Sequence, residues 1–234
     1  MEAAGIMTAS ASVRESGDRQ GFLAKVAGRS ELPTTPHLIQ PATEGDTVDG
    51  VAYTQDLSDL LASFTAAARK HESAVYVVHN DADHLAAVLD IASRFTVEQF
   101  FVSDEAVSRE FGDLLEQAGA TARTIADPKQ LTQNDTVVTS AAAGVALTGS
   151  IALSSGALGS RLVTALPKNH IAIVAANSIV STPREIYQEF AKGRWPGSAL
   201  TIATGPSRTG DIEMDLTLGV HGPGEVVIVV DARP

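Results

Sequence analysis

The sequence contains no cysteine. No disulfide can brace its 234 residues, no thiolate can serve as nucleophile, and no Cys-ligated iron–sulfur cluster can be held within them. Basic residues are scarce: 17 Lys and Arg stand against 28 Asp and Glu, a formal net charge of −11. A nucleic-acid binder needs a basic face to displace counterions, and an anionic membrane attracts one, so both partners are excluded as dedicated targets. No apolar run reaches the roughly 18 residues that suggest a membrane helix. The first residues, MEAAGIMTASASVRESGDRQ, lack a basic start and an apolar centre, and so do not read as a secretory signal. The expectation is a cytoplasmic protein. The six His are scattered, without an H-x₃-H pair or an H-E-x-x-H, and there is no G-x-S-x-G elbow. No metal and no cofactor is expected.

Apolar residues make up 44% of the chain, enough for one large α/β core. Residues 1–50 read as a mobile arm, a short helix over 19–27 and a linker. The linker carries Pro36, Pro41 and the acidic trio Glu44, Asp46 and Asp49. The main domain is expected over 51–234.

Within it, helical and strand patterns alternate. Asp56 is the expected cap of a helix with an apolar stripe at Leu57, Leu60, Leu61, Phe64 and Ala68, ended by Arg69, Lys70 and His71. A strand over 74–78 follows, then a helix capped by Asp81 or Asp83 with Leu85, Val88, Leu89 and Ala92 inward. After a strand over 97–102 comes a helix capped by Ser103 or Asp104, with Val107, Phe111, Leu114 and Leu115 inward. A strand over 121–125 closes the series. This order predicts βαβ units and a mainly parallel sheet with helices on both faces. Its strands are expected at 74–79, 97–102, 137–140, 170–175, 199–203 and 226–230, whose apolar runs suit burial on both sides. His79-Asn80-Asp81 stands where a dinucleotide fold would carry its glycine fingerprint, so that site is not expected.

The most informative stretch is TIATGPSRTGDIEMDLTLGVHGPGEVVIVV, residues 201–230. An apolar strand ends in Gly205-Pro206-Ser207-Arg208-Thr209-Gly210, where glycine, hydroxyls and a guanidinium stand together. Such a turn suits a carboxylate or phosphate, and its composition also fits an ordinary surface turn with a solvated Arg208. From Ile212 to Val220 the apolar residues recur at every second position, as in a half-buried strand. A second small-residue loop, Thr148-Gly149-Ser150, is also a candidate. Facing loops at the carboxyl ends of the strands, where ligands of open α/β sheets gather, would bring Arg161 and Arg208 to one anion. Ser150, Ser207 and Thr209 would be donors, Glu213 or Asp211 a base, and His221 an acid or orienting group.

GPSRTGDIE followed by GVHGP resembles the C-terminal signature of the LUD domain family. Thr148-Gly149-Ser150 through Arg161 to His170-Ile171-Ala172 resembles the family's other signature. The resemblance implies a fold similar to the NagB/RpiA/CoA-transferase group and a place in an iron–sulfur system that oxidises L-lactate to pyruvate. With no cysteine, this chain would be the accessory or ligand-binding subunit, and the clusters would sit on partner subunits. The resemblance puts Thr148, Gly149, Arg161, Gly205, Ser207, Arg208, Thr209, Asp211, Glu213 and His221 on matching positions. It also marks two departures: Leu147 and Ala142 stand where the family pattern has acids. A free-standing enzyme of the isomerase or CoA-transferase type, and a non-catalytic interaction module, stay open as alternatives.

Overall fold

The computed structural model describes residues 59–95, 99–156, 158, 162–195, 197–210, 216–218 and 222–234. The arm, short helix and linker expected over 1–50 lie outside them, and so does Asp56.

The frame is a six-stranded sheet. In chain order its strands are β1 (Ala74–Val78), β2 (Phe100–Val102), β3 (Ala122–Thr124), β4 (Thr136–Ser140), β7 (Asn169–Ala175) and β12 (Glu225–Asp231). They lie side by side as β1-β12-β7-β4-β2-β3, every pair parallel. Side chains alternate across a strand, so the central strands must be apolar at every position. In β12, Val227 and Val229 point to one face, while Val226, Ile228 and Val230 point to the other. In β7, Ile171 and Ile173 oppose Ala172 and Val174 in the same way. Each such side chain, once fully buried, contributes about 1.5–3 kcal/mol.

The Val227 face is covered by two helices, α2 (Asp81–Arg94) and α3 (Ala106–Gln117). The opposite face meets α1 (Leu60–Lys70), the short α4 (Leu162–Ala165) and a second sheet. This sheet runs β8 (Ile179–Val180), β5 (Ala143–Val145), β6 (Ser150–Ser154), β9 (Leu200–Ala203), with β6 antiparallel to both neighbours. Its outer face packs on α5 (Pro183–Ala191) through Ile186. The sheet flanked by helices is therefore present, with one strand reassigned. The run expected at 199–203 belongs to the second sheet, and β3 takes an edge of the first. An apolar run states burial, not which sheet provides it.

Local signals explain the elements, with shifts at their ends. Asp59, not Asp56, caps α1, its carboxylate accepting from the Ala62 N–H at 2.9 Å. Asn80 caps α2 by accepting from the Asp83 N–H at 2.9 Å, and Glu105 precedes α3 without a side-chain cap bond. The buried stripe of α2 is His84, Ala87, Val88 and Ile91, an i, i+3, i+4, i+7 set. Leu85 and Leu89, expected inward, are 42% and 50% exposed, and Val107 of α3 is 36% exposed. At α5 the Glu185 carboxylate accepts from the Thr182 N–H at 2.9 Å, and Pro183 takes the first helical position.

At the carboxyl edge of the sheet, Arg233 donates to Asp231, Glu110 and Asp81 and ties β12 to both helices of that face. The guanidinium pKa is raised by these carboxylates, and the side chain reads as a structural tie. Among the described residues, no helix is long and apolar enough to cross a membrane.

Candidate functional site

The two signature loops meet at the last turn of α1. That helix ends in a Schellman reversal: the Ser73 N–H donates to the Ala68 carbonyl at 3.1 Å and the Glu72 N–H to the Arg69 carbonyl at 3.0 Å. The residue in the left-handed position is Glu72, at φ 63°. Glycine usually holds this place, because a Cβ there crowds the backbone at a cost of about 1–2 kcal/mol. Among the described residues Glu72 is the one non-glycine at positive φ.

Gly149 and Gly205 both dock on this turn, with φ of 64° and 65°. A Cβ on Gly149 would lie 2.1 Å from the Ala68 nitrogen, and one on Gly205 would lie 2.1 Å from the His71 carbonyl oxygen. Both glycines are therefore required twice, by backbone conformation and by contact. The loops also touch each other. Thr148 Oγ1 is 2.6 Å from Ser150 Oγ, which is 2.6 Å from Thr204 Oγ1, a row of three hydroxyls joining them. Ser150 is buried and Thr204 exposed.

Beyond Gly205 the Ser207 N–H donates to the Pro223 carbonyl at 2.8 Å, so the GPSRTG loop rests on Pro223. Arg208–Gly210 (β10) then pairs antiparallel with Leu216–Leu218 (β11), with Arg208 opposite Leu218. The stretch expected as a loop thus becomes a short ribbon, and part of the predicted alternating strand is its other arm. The Arg208 guanidinium pairs with Glu72, the strained residue of the reversal. Arg208 is 40% and Glu72 59% exposed, so this ion pair is open to water and worth at most about 1 kcal/mol.

The structure thus brings together Thr148, Gly149, Ser150, Gly205, Ser207 and Arg208. Arg161, Asp211, Glu213 and His221 lie outside the described residues, and Thr209 is described by its backbone pairing alone. The position within the fold differs from the expectation. Gly205 packs on His71, three residues before β1 begins, and Ser207 bonds to Pro223, two residues before β12 begins. The loops therefore gather at the amino edge of the parallel sheet, not at the carboxyl edge. The end of α1 sets this place, since α1 leads directly into the start of β1.

A helix C-terminus carries partial negative charge and opposes a bound anion. The last turn offsets it with Arg69, Lys70 and His71. Arg69 donates to the Val75 carbonyl at 3.0 Å, while Lys70 and His71 are exposed. Sequence reasoning missed Glu72 and Thr204. The signal for Glu72 was weak but present: only three residues separate α1 from β1, and none is glycine, so a non-glycine residue has to make the reversal.

Leu147 and Ala142, the departures from the family pattern, also have a structural setting. Leu147 packs against the outer cluster of Ala143, Val145, Ala152 and Ile186. A carboxylate there would face aliphatic side chains. Ala142 lies at the junction of β4 and β5, its N–H donating to the Ala152 carbonyl at 2.8 Å.

The fold and these loops define a parallel-sheet α/β protein with a glycine-and-hydroxyl site on a helix end. The family model described as LUD domain matches residues 61–230, and the chain belongs to that family. Curated relatives named Lactate utilization protein C match a shorter stretch. The one from Geobacillus sp. (strain WCH70) is 39% identical over 90 residues, 37% of this chain and 37% of that protein. The one from Deinococcus radiodurans is 36% identical over 102 residues, 43% of this chain and 48% of that protein. The one from Bacillus subtilis (strain 168) is 36% identical over 106 residues, 44% of each chain. The matches span less than half the length of these relatives. A crystal structure of a DUF162 family protein from Deinococcus radiodurans has a similar fold, with a TM-score of 0.55 and 21% identity. The likeness covers 76% of this chain and 99% of that one.

Proposed function

We propose that this protein serves lactate utilization as a ligand-binding, accessory subunit. It holds a small carboxylate at the Arg208 loop while iron–sulfur partner subunits carry the electrons. The supporting observation is the convergence of both signature loops on the end of α1: the Thr148–Ser150–Thr204 hydroxyl row joins the two loops, and Arg208 pairs with Glu72 of the α1 reversal. The relatives named for lactate utilization support the context. The sequence has no cysteine, so in this reading Cys-ligated clusters would sit on partners. Leu147, in its apolar setting, favours binding over acid–base chemistry at that position. Arg161 would be the second cation on the anion. Ser207 and Thr209 would donate to it, and for any proton transfer Glu213 or Asp211 would be the base and His221 the acid or orienting group.

Calorimetric titration with lactate, pyruvate and phosphate tests the binding reading. The wild type is expected to bind a carboxylate at millimolar concentration or better. Arg208→Ala should lose a charge-assisted bond, a fall of about tenfold to a hundredfold in affinity. Its melting temperature should barely move, since the ion pair it breaks is exposed. No binding to the wild type, or a loss of stability without loss of binding, would overturn this reading. Copurification with a Cys-rich iron–sulfur partner tests the accessory role.

A further inference from the structure

The two edges of the six-stranded sheet differ. β1 forms one edge and β3 the other. An edge strand presents unpaired N–H and C=O groups, which proteins usually cap or cover. Along β1, side chains cap them. Arg69 donates to the Val75 carbonyl at 3.0 Å, and the Asp83 carboxylate accepts from the His79 N–H at 3.1 Å. β3 has no such caps. The Thr121 carbonyl accepts from the Phe100 N–H, and the Ile125 N–H donates to the Val102 carbonyl, so residues 121, 123 and 125 turn their backbone groups towards β2. Ala122 and Thr124 therefore point N–H and C=O outward, and among the described residues these groups have no partner.

A groove of about 280 Å³ runs beside this edge, between β3 and α3. Gly112 and Ala122 line it with little bulk. A Cβ on Gly112 would lie 3.2 Å from Val102 Cγ2, so the glycine lets α3 lie close on the strand. Asp113 and Glu116 line the groove from α3, exposed and one turn apart on one helix face. Neither has an ion-pair partner among the described residues, whereas Arg109, on the same face, is held by Asp104 at 3.2 Å. Side chains alternate along a strand, and Ala122 packs towards α3, so Arg123 points to the other face of the sheet. It too has no ion-pair partner among the described residues.

We propose that β3 is a docking edge for an extended segment of a partner protein, which adds a further strand, sets basic side chains under Asp113 and Glu116, and sets an acidic one beside Arg123. Main-chain bonds to Ala122 and Thr124 supply affinity, and the alternating charges fix the register. The partner residue opposite Arg123 shares its face and is acidic. The residues on either side of it turn towards α3 and are basic. A second copy of this chain fits poorly. An antiparallel β3–β3 pair that uses all the outward groups sets one Arg123 directly against the other, and like charges in that position repel. The inference does not rest on the carboxylate reading of the Arg208 loop, because α1 leads into β1, at the opposite edge of the sheet.

The test is fluorescence anisotropy of the full chain with two labelled peptides of one composition, Thr-Val-Lys-Glu-Lys-Val-Thr and Thr-Lys-Val-Glu-Val-Lys-Thr. In an extended chain the first turns both Lys to the face opposite Glu, and the second turns all three to one face. Their equal charge cancels the general attraction of a chain with a net charge of −11. The wild type is expected to bind the first peptide about threefold to thirtyfold more tightly. Asp113→Lys combined with Glu116→Lys should abolish that preference. Thr124→Pro deletes an outward N–H that the fold does not use, so it should fold, as a thermal melt checks, and bind the first peptide about fivefold more weakly. Equal binding of the two peptides, no binding of either, a preference that survives the double variant, or full binding by folded Thr124→Pro would overturn the proposal. So would a wild-type dimer in sedimentation that Thr124→Pro dissociates, since a second copy would then be the occupant.

Discussion

Replacing Gly149 by Ala should damage this fold far more than the same change at Gly119. Both glycines have positive φ, 64° and 88°. An L residue in that region costs about 1–2 kcal/mol, and restricting the unfolded chain returns about 0.4–1 kcal/mol. At Gly119, the left-handed residue after α3, a Cβ meets nothing within 4 Å. The net loss there should be about 0.5–1.5 kcal/mol. At Gly149 the Cβ would stand 2.1 Å from the Ala68 nitrogen and 2.5 Å from the Ala67 carbonyl carbon and the Ala68 Cα. These are backbone atoms of a helix, and no rotamer change relieves them. Either α1 or the loop must retreat by about an ångström or more. The retreat would loosen Phe64 and Ala68, both fully buried, and the Ser150–Thr204 bond. Overpacking of this kind costs about 1–3 kcal/mol on top of the conformational cost, so the total for Gly149→Ala should reach about 1.5–4.5 kcal/mol.

For a chain of this size 1 kcal/mol corresponds to about 2–4 °C in Tm. Gly119→Ala should melt about 1–6 °C below the wild type and Gly149→Ala about 3–18 °C below it. Urea denaturation gives the free energies directly, and a constant slope confirms that the same transition is compared. Equal losses in the two variants would refute the close approach of the Thr148–Ser150 loop to α1. With it would fall the convergence on which the site is built.

Two further outcomes are expected. Glu72→Gly should keep stability within about 1 kcal/mol of the wild type, because relief of the left-handed strain offsets the lost ion pair and the freer unfolded chain. By removing the carboxylate that competes for Arg208, it should raise affinity for lactate or acetate by up to about fivefold; a weaker or unchanged titration would show that Glu72 does not compete. His170 supplies a pH dependence: its folded pKa, about 4, lies below the ordinary value of 6.5, so the unfolded chain takes up the proton first as pH falls. Stability should drop by about 3 kcal/mol from pH 6.5 to pH 4, and His170→Gln should remove that part of the slope. His84, also lowered by burial and then by Arg233, keeps its own slope in both proteins. Parallel curves for wild type and variant would refute the burial of a neutral His170.

What the sequence made legible was burial and chemistry; what it hid was distance. The apolar runs of β7 and β12 announced strands covered on both faces, and the structure has them at the centre of the sheet. The run at 199–203 had the same appearance, yet its residues are only partly buried and lie in the second sheet. In α2, Leu85 and Leu89 outcompeted His84 and Ala87 as core candidates because hydropathy ranks leucine first. The buried stripe is instead His84, Ala87, Val88 and Ile91, a face that takes His84 inward. The glycine and hydroxyl loops were readable as motifs. Their common anchor was not, because Gly149 and Gly205 come far later in the chain than Ala68 and His71, with several strands and helices between.

The positive-φ residues show why that anchor matters. Gly119 and Gly193 end helices in open space, where glycine is convenient. Gly149, Gly205 and Glu72 are different, since all three meet at one turn and the two glycines touch backbone there. Conformational cost concentrated at one place persists only if the surroundings fix it, and it marks candidate sites for that reason. Glu72 carries the cost without the chain taking the simpler residue, and its carboxylate rests on Arg208. A carboxylate in that position occupies the guanidinium in the empty protein, at the strength of an exposed ion pair. A ligand carboxylate that also gained the Ser150–Thr204 hydroxyls would have more to bind than Glu72 does. Exchange of one carboxylate for another would then keep the local charge unchanged at Arg208.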